Sequence, residues 1–195
     1  MREFIYYSST APTKGNFGND LMKAGRLDIA LHTILGAFFI SNHQREDVKL
    51  HLVFDGPPDP SKHLEIEPSK NDEIKLSKKD LLWVVRKLLY KYKEGKKFEV
   101  FPGYSIEKQN LSETIKQLSK TKKIYILDER GEDIRNLKLD GNEIFVLGDQ
   151  EGLPKKEVRK LKKERNIELV SIGKRQYLAS QVLAIVQNEI DRQTE

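Results

Sequence analysis

The stretch FVLGDQEGLPKKE, residues 145–157, places an apolar run directly before a loop in which two carboxylates stand between two glycines. The run FVL predicts a buried strand, and Pro154 suits the first turn of a helix. The predicted helix is strongly basic, with seven Lys or Arg between residues 155 and 165. This order of strand, glycine loop and helix indicates one unit of an α/β sheet.

The same alternation extends outward from this stretch, over residues 111–191. Helices are predicted over 111–120, 154–166 and 178–191, and strands over 123–129, 143–149 and 167–172. The pattern predicts an α/β fold, a mostly parallel sheet with covering helices. Each strand is followed by a polar loop with glycine, at 128–133, 148–152 and 173–176. Because ligands bind beyond the carboxyl ends of parallel strands, these loops predict a pocket.

The N-terminal half adds elements to the same domain. Strands are predicted over 2–7, 48–55 and 96–104, a hairpin over 63–76, and helices over 21–41, capped by Asp20, and over 77–94. No internal repeat or long linker divides the chain. We therefore predict a single domain over residues 1–195.

Composition narrows the classes of function. The 35 Lys or Arg and 30 Asp or Glu leave a net charge of +5, which favours a polyanionic partner. The absence of cysteine excludes disulfides and thiolate catalysis and is typical of a cytoplasmic protein. No apolar run is long enough to span a bilayer, so no membrane association is predicted.

The four histidines predict no metal site. His43, His51 and His63 lack the spacing of metal ligands, and no cysteine is present to complete a zinc site. His32 belongs to an apolar helical pattern, and we predict that it lies in the core.

The loop at 148–152 limits what the pocket can bind. Backbone N–H groups at a helix N-terminus favour phosphate, but Asp149 and Glu151 would repel it, and neither G-x-x-x-x-G-K-[ST] nor G-x-G-x-x-G is present. A cationic or neutral ligand, such as a sulfonium cofactor, suits the loop better. The alternative is that Gly148 and Gly152 only permit a tight turn while the acids cap the next helix.

Several motifs resemble those of a known family. FVLGDQEGL resembles the G-D-H-E-G signature of the SPOUT class of RNA methyltransferases, with Gln150 at the histidine position. SIGKRQYLASQVLAIVQNEID, residues 171–191, is similar to the last cofactor loop and C-terminal helix of that class. MREFI at the start, GRLDI at 25–29, AFFIS at 37–41 and GED at 131–133 resemble the archaeal TrmY family, the tRNA (pseudouridine-54, N1)-methyltransferases.

The resemblance implies a fold, a cofactor and partners. It implies a SPOUT fold in which residues of about 111–195 form a deep trefoil knot and the cofactor site, with S-adenosylmethionine (SAM) as methyl donor and a homodimer as the assembly. The chain departs from the family at two places. It has no His or Cys at the start of the last helix, and Gly173-Lys174 replaces a serine-proline step.

Carried over position by position, the resemblance also implies the cofactor residues. One side of the pocket is walled by the end of a strand, Gly148 lets the loop backbone approach the cofactor, and the last loop wraps the adenine. The predicted cofactor residues are Leu127, Gly148, Ile172, Gly173, Lys174, Arg175, Gln176, Tyr177, Leu178 and Val182.

The substrate residues are predicted from GRLD and from the basic helix. Asp28 is the candidate for a polar role near the target base, because methylation at N1 of pseudouridine requires loss of a proton; the alternative is that it only stabilises the start of its helix. Arg26 is a candidate for phosphate or base contact. Lys155, Lys156 and Lys160 are candidates for tRNA contact, as is the basic stretch 75–97 around Trp83; the alternative for both stretches is a solvated face.

The function predicted from these features is SAM-dependent N1-methylation of pseudouridine 54 in tRNA. Alternatives within the class are methylation of an rRNA pseudouridine or of a ribose 2′-hydroxyl. An alternative from another class is a non-catalytic RNA-binding protein.

Overall fold

The computed structural model describes residues 1–71 and 78–194, and within these ranges one eight-stranded sheet organises the chain. Its strands run in the order β4-β5-β3-β2-β1-β7-β6-β8. The strands are β1 (Arg2–Ser8), β2 (Val48–Phe54), β3 (Lys62–Ile66), β4 (Phe98–Phe101), β5 (Tyr104–Glu107), β6 (Ile124–Asp133), β7 (Ile144–Gly148) and β8 (Ile167–Ser171). The block from β2 to β8 is parallel, and β3, β5 and β4 extend it antiparallel. The mostly parallel sheet predicted from the sequence is confirmed.

Helices cover both faces of this sheet. They are α1 (Leu27–Phe38), α2 (Lys78–Lys91), α3 (Leu111–Leu118), α4 (Lys155–Leu161) and α5 (Ala179–Thr194). The larger core joins α1, α2 and α5 to one face, where Phe4, Tyr6 and Leu50 are fully buried. The smaller core joins α3 and α4 to the other face, around Ile5 and Val146. Successive side chains of a strand point to opposite faces of the sheet, so each buried strand contributes residues to both cores.

The first helix is shorter than its sequence pattern predicts. It begins at Leu27, not near residue 21, because Gly25 and Arg26 both have left-handed backbone conformations, with φ of 60° and 57°. A Cβ on Gly25 would lie 1.8 Å from the Thr10 carbonyl oxygen, so the turn is set by contact with a distant loop. Asp20 does accept a hydrogen bond from the Lys23 N–H, but it caps only this turn.

Other boundaries also differ from the predictions. The strand predicted in residues 96–104, with Pro102 and Gly103 as its end, is β4, which stops at Phe101; Pro102 and Gly103 (φ 78°) then turn the chain into a second strand, β5, that was not predicted. Helix α4 ends at Leu161, and tighter turns from Lys163 to Ile167 lead directly into β8. Of the hairpin predicted over 63–76, the first half is β3, which pairs with β2 and β5, and residues 72–77 lie outside the described ranges.

Helix α5 packs across α1 within the same chain. A Cβ on Gly36 would lie 3.1 Å from the Ser180 carbonyl oxygen, and Gln187 Nε2 donates to the Gly36 carbonyl at 2.9 Å. Val186 and Ile190 of the apolar stripe on α5 are buried in the larger core, whereas Leu178, just before α5, is 64% exposed. The chain itself therefore covers only part of the stripe.

Across residues 1–71 and 78–194, we find no helix of the length and apolarity needed to cross a membrane. The trefoil knot that the resemblance implies stays a prediction.

Candidate active site

A cavity of about 910 Å³ opens at the carboxyl ends of β6, β7 and β8. Three loops form it, at 127–130, 147–153 and 172–178, and one flank of α4 and the first turn of α5 close its sides. Apolar side chains from the strand ends, among them Ile126, Leu147 and Leu169, form its inner wall. The cavity lies at the edge of the sheet where the glycine loops predicted it.

The structure brings together every residue predicted to contact the cofactor. The residues that line the cavity include Leu127, Gly148, Ile172, Gly173, Lys174, Arg175, Gln176, Tyr177, Leu178 and Val182. These residues come from three chain segments separated by about 20 residues or more in sequence, and the parallel pairing of β6 with β7 and β8 aligns the ends of their strands.

The acidic loop of residues 148–152 is tied to the end of β1 by one of its two carboxylates. Asp149 Oδ2 accepts hydrogen bonds from Ser8 Oγ at 2.7 Å and from the Ser9 N–H at 3.0 Å, while Oδ1 accepts from the Glu151 N–H at 2.9 Å. The Asp149 N–H donates to the Tyr7 carbonyl. Asp149 is buried and Glu151 is exposed. Asp149 therefore shapes the loop rather than capping α4.

Gly148 is required by the loop itself. A Cβ there would lie 2.5 Å from the backbone carbon of Gly152, so the two ends of the loop touch. Gly152 has a φ of 75°, which favours glycine. A side chain at position 148 would displace the loop in addition to narrowing the cavity.

The first cavity loop interrupts β6. Leu127 and Glu132 both pair with Val170 of β8, so residues 128–131 bulge from the ladder between them. Gly131 passes so close to β8 that a Cβ would lie 2.4 Å from the Val170 nitrogen. Within the bulge, hydrogen bonds from Arg130 hold the pKa of Asp128 below its usual value, so Asp128 contributes a negative charge to the wall.

The last cavity loop joins β8 to α5. Gly173 has a φ of 118° and its N–H donates to Ser171 Oγ at 3.0 Å, which turns the chain away from the sheet. Leu178 then precedes α5, and its carbonyl accepts from the Gln181 and Val182 N–H groups. Tyr177 and Leu178 remain exposed at the mouth of the cavity.

One flank of α4 faces the cavity and the other does not. Lys155, Arg159 and Lys162 line the cavity at i, i+4 and i+7, whereas Lys156 and Lys160 are exposed and do not line it. The sequence prediction therefore included one lining lysine and missed Arg159 and Lys162, which the helical spacing could have identified. Among the described residues, these three lining cations have no carboxylate within 4 Å.

Arg26 and Asp28 lie at the N-terminus of α1 and do not line the cavity. The Arg26 guanidinium donates two hydrogen bonds of 3.0 Å to the Asp28 carboxylate, and this pairing lowers the pKa of Asp28. Burial raises the pKa of Tyr6, and the negative charges of Asp149 and Asp28 raise it further.

The histidines are placed differently from the prediction. His32 is exposed, so its assignment to the core was wrong. His43 is also exposed. His51 and His63 are buried side by side on neighbouring strands, with ring nitrogens 2.8 Å apart.

The chain is similar in sequence to known RNA methyltransferases. A family model described as "Putative SAM-dependent RNA methyltransferase" matches residues 1–195. A tRNA (pseudouridine(54)-N(1))-methyltransferase of Methanococcoides burtonii is 32% identical, covering 98% of this chain and 96% of its own. A relative of the same name from Thermococcus kodakarensis is 33% identical, covering 98% and 99%.

A solved structure shows the same fold. Archaeoglobus fulgidus Nep1, crystallised with S-adenosylhomocysteine, aligns with a TM-score of 0.65 at 13% identity, covering 98% of each chain. This likeness supports the SPOUT fold predicted from the sequence. The match over the full length and the two relatives together show that the chain belongs to the family of SAM-dependent RNA methyltransferases.

Proposed function

We propose that this protein uses SAM to methylate N1 of pseudouridine 54 in tRNA. The observation that carries the proposal is the cavity at the ends of β6, β7 and β8, which gathers all the predicted cofactor residues beside an unpaired row of cations. The names of the two archaeal relatives supply the substrate position. A tRNA substrate agrees with the cytoplasmic location predicted from the sequence.

The cavity suits SAM in size and chemistry. Its volume lies within the range of small-molecule sites, and its walls combine apolar side chains with backbone groups of three loops. Asp128, which is ion-paired with Arg130, and Glu129 place carboxylates in the wall, and a sulfonium cation would be favoured close to them. When bound, SAM supplies the methyl group for an in-line displacement, so most of the catalysis comes from alignment of donor and acceptor.

Deprotonation of N1 is the remaining chemical task. We propose that Asp28 acts near the target base, with Arg26 holding its carboxylate in one orientation through two hydrogen bonds. The lowered pKa keeps Asp28 ionised at neutral pH, which favours a polar contact to the base over strong proton abstraction.

We propose that the site is completed in a homodimer. Arg26 and Asp28 do not line the cavity of their own chain, so a base held by them reaches a methyl donor most directly across an interface. The exposed and half-buried stripe of Leu178, just before α5, and of Val182 and Ile185 on α5 supports such an interface, because the three residues follow the i, i+4 and i+7 spacing of one helix face.

The tRNA backbone is proposed to lie along the cations of α4 at the cavity rim. Counterion release favours such a row, and unpaired lysine and arginine side chains remain available for phosphate. A second surface on α2 presents the exposed rings of Trp83 and Tyr90 with Lys87 close to Trp83. This combination of aromatic rings and cations is typical of surfaces that contact unpaired nucleotides.

A methyl-transfer assay with defined transcripts tests the function. The protein is incubated with radiolabelled SAM and either a tRNA carrying pseudouridine at position 54 or the same tRNA carrying uridine there. We expect label in 1-methylpseudouridine with the first transcript and none with the second, since uridine attaches its N1 to the ribose. In the same assay, Asp28→Asn should lower the rate at least tenfold while SAM affinity by calorimetry changes less than twofold.

Each alternative gives a different product. Label in a ribose-methylated nucleoside, or on the uridine transcript, would show a 2′-hydroxyl methyltransferase instead. Methylation of rRNA pseudouridine with no reaction on tRNA would move the substrate to the ribosome. Binding of tRNA with neither SAM affinity nor label would leave a non-catalytic RNA-binding protein.

A further inference from the structure

Two buried histidines meet on the sheet, away from the cofactor cavity. His51 of β2 and His63 of β3 are 1% and 4% exposed, and their rings stack with centroids 5.1 Å apart. His51 Nδ1 lies 2.8 Å from His63 Nε2. His51 pairs with Ile5 on one side and Glu65 on the other, which places the cluster in the middle of the strands rather than at their carboxyl ends.

A carboxylate contacts the outer nitrogen of each ring. Glu3 Oε2 lies 3.2 Å from His51 Nε2, and Glu107 Oε1 lies 3.1 Å from His63 Nδ1. Carboxylates with ordinary pKa values are ionised near neutral pH, so Glu3 and Glu107 accept hydrogen bonds and do not donate them.

These contacts determine where the ring protons lie. A neutral imidazole carries one N–H, and donation to the carboxylates uses Nε2 of His51 and Nδ1 of His63. The two inner nitrogens then point lone pairs at each other across 2.8 Å. Two lone pairs repel at that distance, so with these tautomers the arrangement favours a cation, either a proton or a metal ion, between them.

We propose that His51 Nδ1, His63 Nε2 and the Glu65 carboxylate bind a divalent metal ion with the ligand preferences of Zn²⁺. The ligand atoms of these three residues all lie within 4.8 Å of one another. Two imidazole nitrogens and one carboxylate are a common zinc ligand set. Glu3 and Glu107 then occupy the positions of the outer carboxylates that orient metal-bound histidines and raise their basicity.

Small movements suffice to admit the ion. At Zn–N distances of about 2.1 Å, two nitrogens of a tetrahedral site lie roughly 3.4 Å apart, so the rings separate by about half an ångström. Lys97 Nζ lies 2.9 Å from Glu65 Oε2, which is itself 3.9 Å from His51 Nδ1. Lys97 is 43% exposed and can move into solvent when the ion takes Glu65.

A shared proton is the competing occupant of the gap. Both rings are almost fully buried, away from the water that would hydrate an imidazolium, and this disfavours a second proton on the pair. A metal ion also binds Glu65, which a proton held between the two rings does not. The proposed ion would link β2 to β3, where the parallel block meets its antiparallel extension.

The metal site is tested with the full chain, free of histidine tags, after dialysis against chelator. We expect one Zn²⁺ per chain by mass spectrometry of metals after gel filtration. We also expect the melting temperature to rise by roughly 5–10 °C when free Zn²⁺ exceeds Kd a hundredfold. Cobalt substitution should give the visible absorption of a low-symmetry site with nitrogen and oxygen ligands. A melting temperature unchanged by Zn²⁺ or chelator overturns the proposal in favour of a shared proton.

Variants distinguish Zn²⁺ binding at this site from nonspecific Zn²⁺ binding elsewhere on the protein. His63→Gln should abolish both stoichiometric Zn²⁺ and the thermal shift. Glu65→Gln, which changes a less buried ligand, should weaken affinity at least tenfold in a chain that still folds. Lys97→Met should strengthen affinity severalfold, because the ion no longer displaces an ammonium group. The control His32→Asn/His43→Asn, at the two exposed histidines, should leave affinity unchanged; loss of binding there would overturn the proposal.

Discussion

Asp149 and Glu151 stand two residues apart in the same loop but have different surroundings. Asp149 is buried and accepts hydrogen bonds from Ser8, Ser9 and Glu151, whereas the side chain of Glu151 is exposed. A buried carboxylate that accepts several hydrogen bonds is costly to alter, because the donors would lose a charged partner. Asp149 is therefore the residue that holds the loop on the end of β1.

We predict that Asp149→Asn lowers the free energy of unfolding by about 2 kcal/mol, because the amide group must point a donor at one of the present donors. SAM affinity should fall at least tenfold, since the loop that walls the cavity is released from β1. Chemical denaturation and calorimetry with SAM measure the two effects.

Glu151→Gln is the matched control. It changes the other carboxylate of the loop in the same way; the free energy of unfolding should stay within experimental error of the parent, and SAM affinity should fall much less than in Asp149→Asn, because Glu151 lines the cavity but does not hold the loop. If the two variants behave alike, the hydrogen bonds of Asp149 do not position the loop.

Helix α4 and the turn that follows it carry two rows of positive charge that differ in position. Lys155, Arg159 and Lys162 line the cavity, and Lys156, Lys160 and Lys163 are exposed without lining it. Because an α-helix has 3.6 residues per turn, residues three or four apart lie on the same flank, and the two rows therefore lie on adjacent flanks of this short helix. If the tRNA crosses the cavity as proposed, its phosphates contact the row that lines the cavity more than the other row.

We predict that Lys155→Gln/Arg159→Gln/Lys162→Gln weakens tRNA binding and flattens its salt dependence. Loss of each phosphate contact should reduce the slope of log affinity against log salt by roughly 0.7–0.9. The charge-matched control Lys156→Gln/Lys160→Gln/Lys163→Gln should retain more of the affinity and slope. Filter binding at several salt concentrations measures both.

Equal losses in the two variants would show that only the total charge of α4 matters. Full affinity in the cavity-facing variant would place the tRNA elsewhere, with α2 and its exposed aromatic rings as the next surface to test.

For the molecule as a whole, the apolar stripe at the start of α5 that α1 leaves uncovered is the proposed dimer interface. Val186 and Ile190 are buried within the chain, so they do not by themselves require a partner. Leu178, Val182 and Ile185 retain exposed surface beside the mouth of the cavity. Burial of this stripe by a second copy would also bring a second Arg26–Asp28 pair to the molecule.

We predict a dimer at micromolar concentration, with a sedimentation-equilibrium mass of twice the 22.6 kDa chain. Ile185→Glu should shift the equilibrium to the monomer and reduce methyl transfer, because a charge would be buried at the interface. Tyr90→Glu, on the exposed face of α2, is the control and should remain dimeric. A parent protein that sediments as a monomer would contradict the proposed assembly.

The local sequence was sufficient for the features that depend on neighbouring residues. Short apolar strands followed by glycine loops predicted the parallel block and the cavity at its edge. A parallel strand that is buried on both faces appears in the sequence as a continuous apolar run, and a loop that approaches a ligand closely often contains glycine. The resemblance of GDQEG and of residues 171–191 to a known family added the predicted cofactor residues, all of which line the cavity.

Contacts between distant segments settled the rest. The start of α1 depends on the Thr10 carbonyl against Gly25, the role of Asp149 depends on Ser8 and Ser9, and the meeting of His51 with His63 depends on strand pairing. None of these partners is adjacent in sequence, so no local periodicity records them. Hydrogen bonds and metal coordination act only over a few ångströms. The partners of these residues can therefore be identified only after the pairing of strands has brought their atoms together.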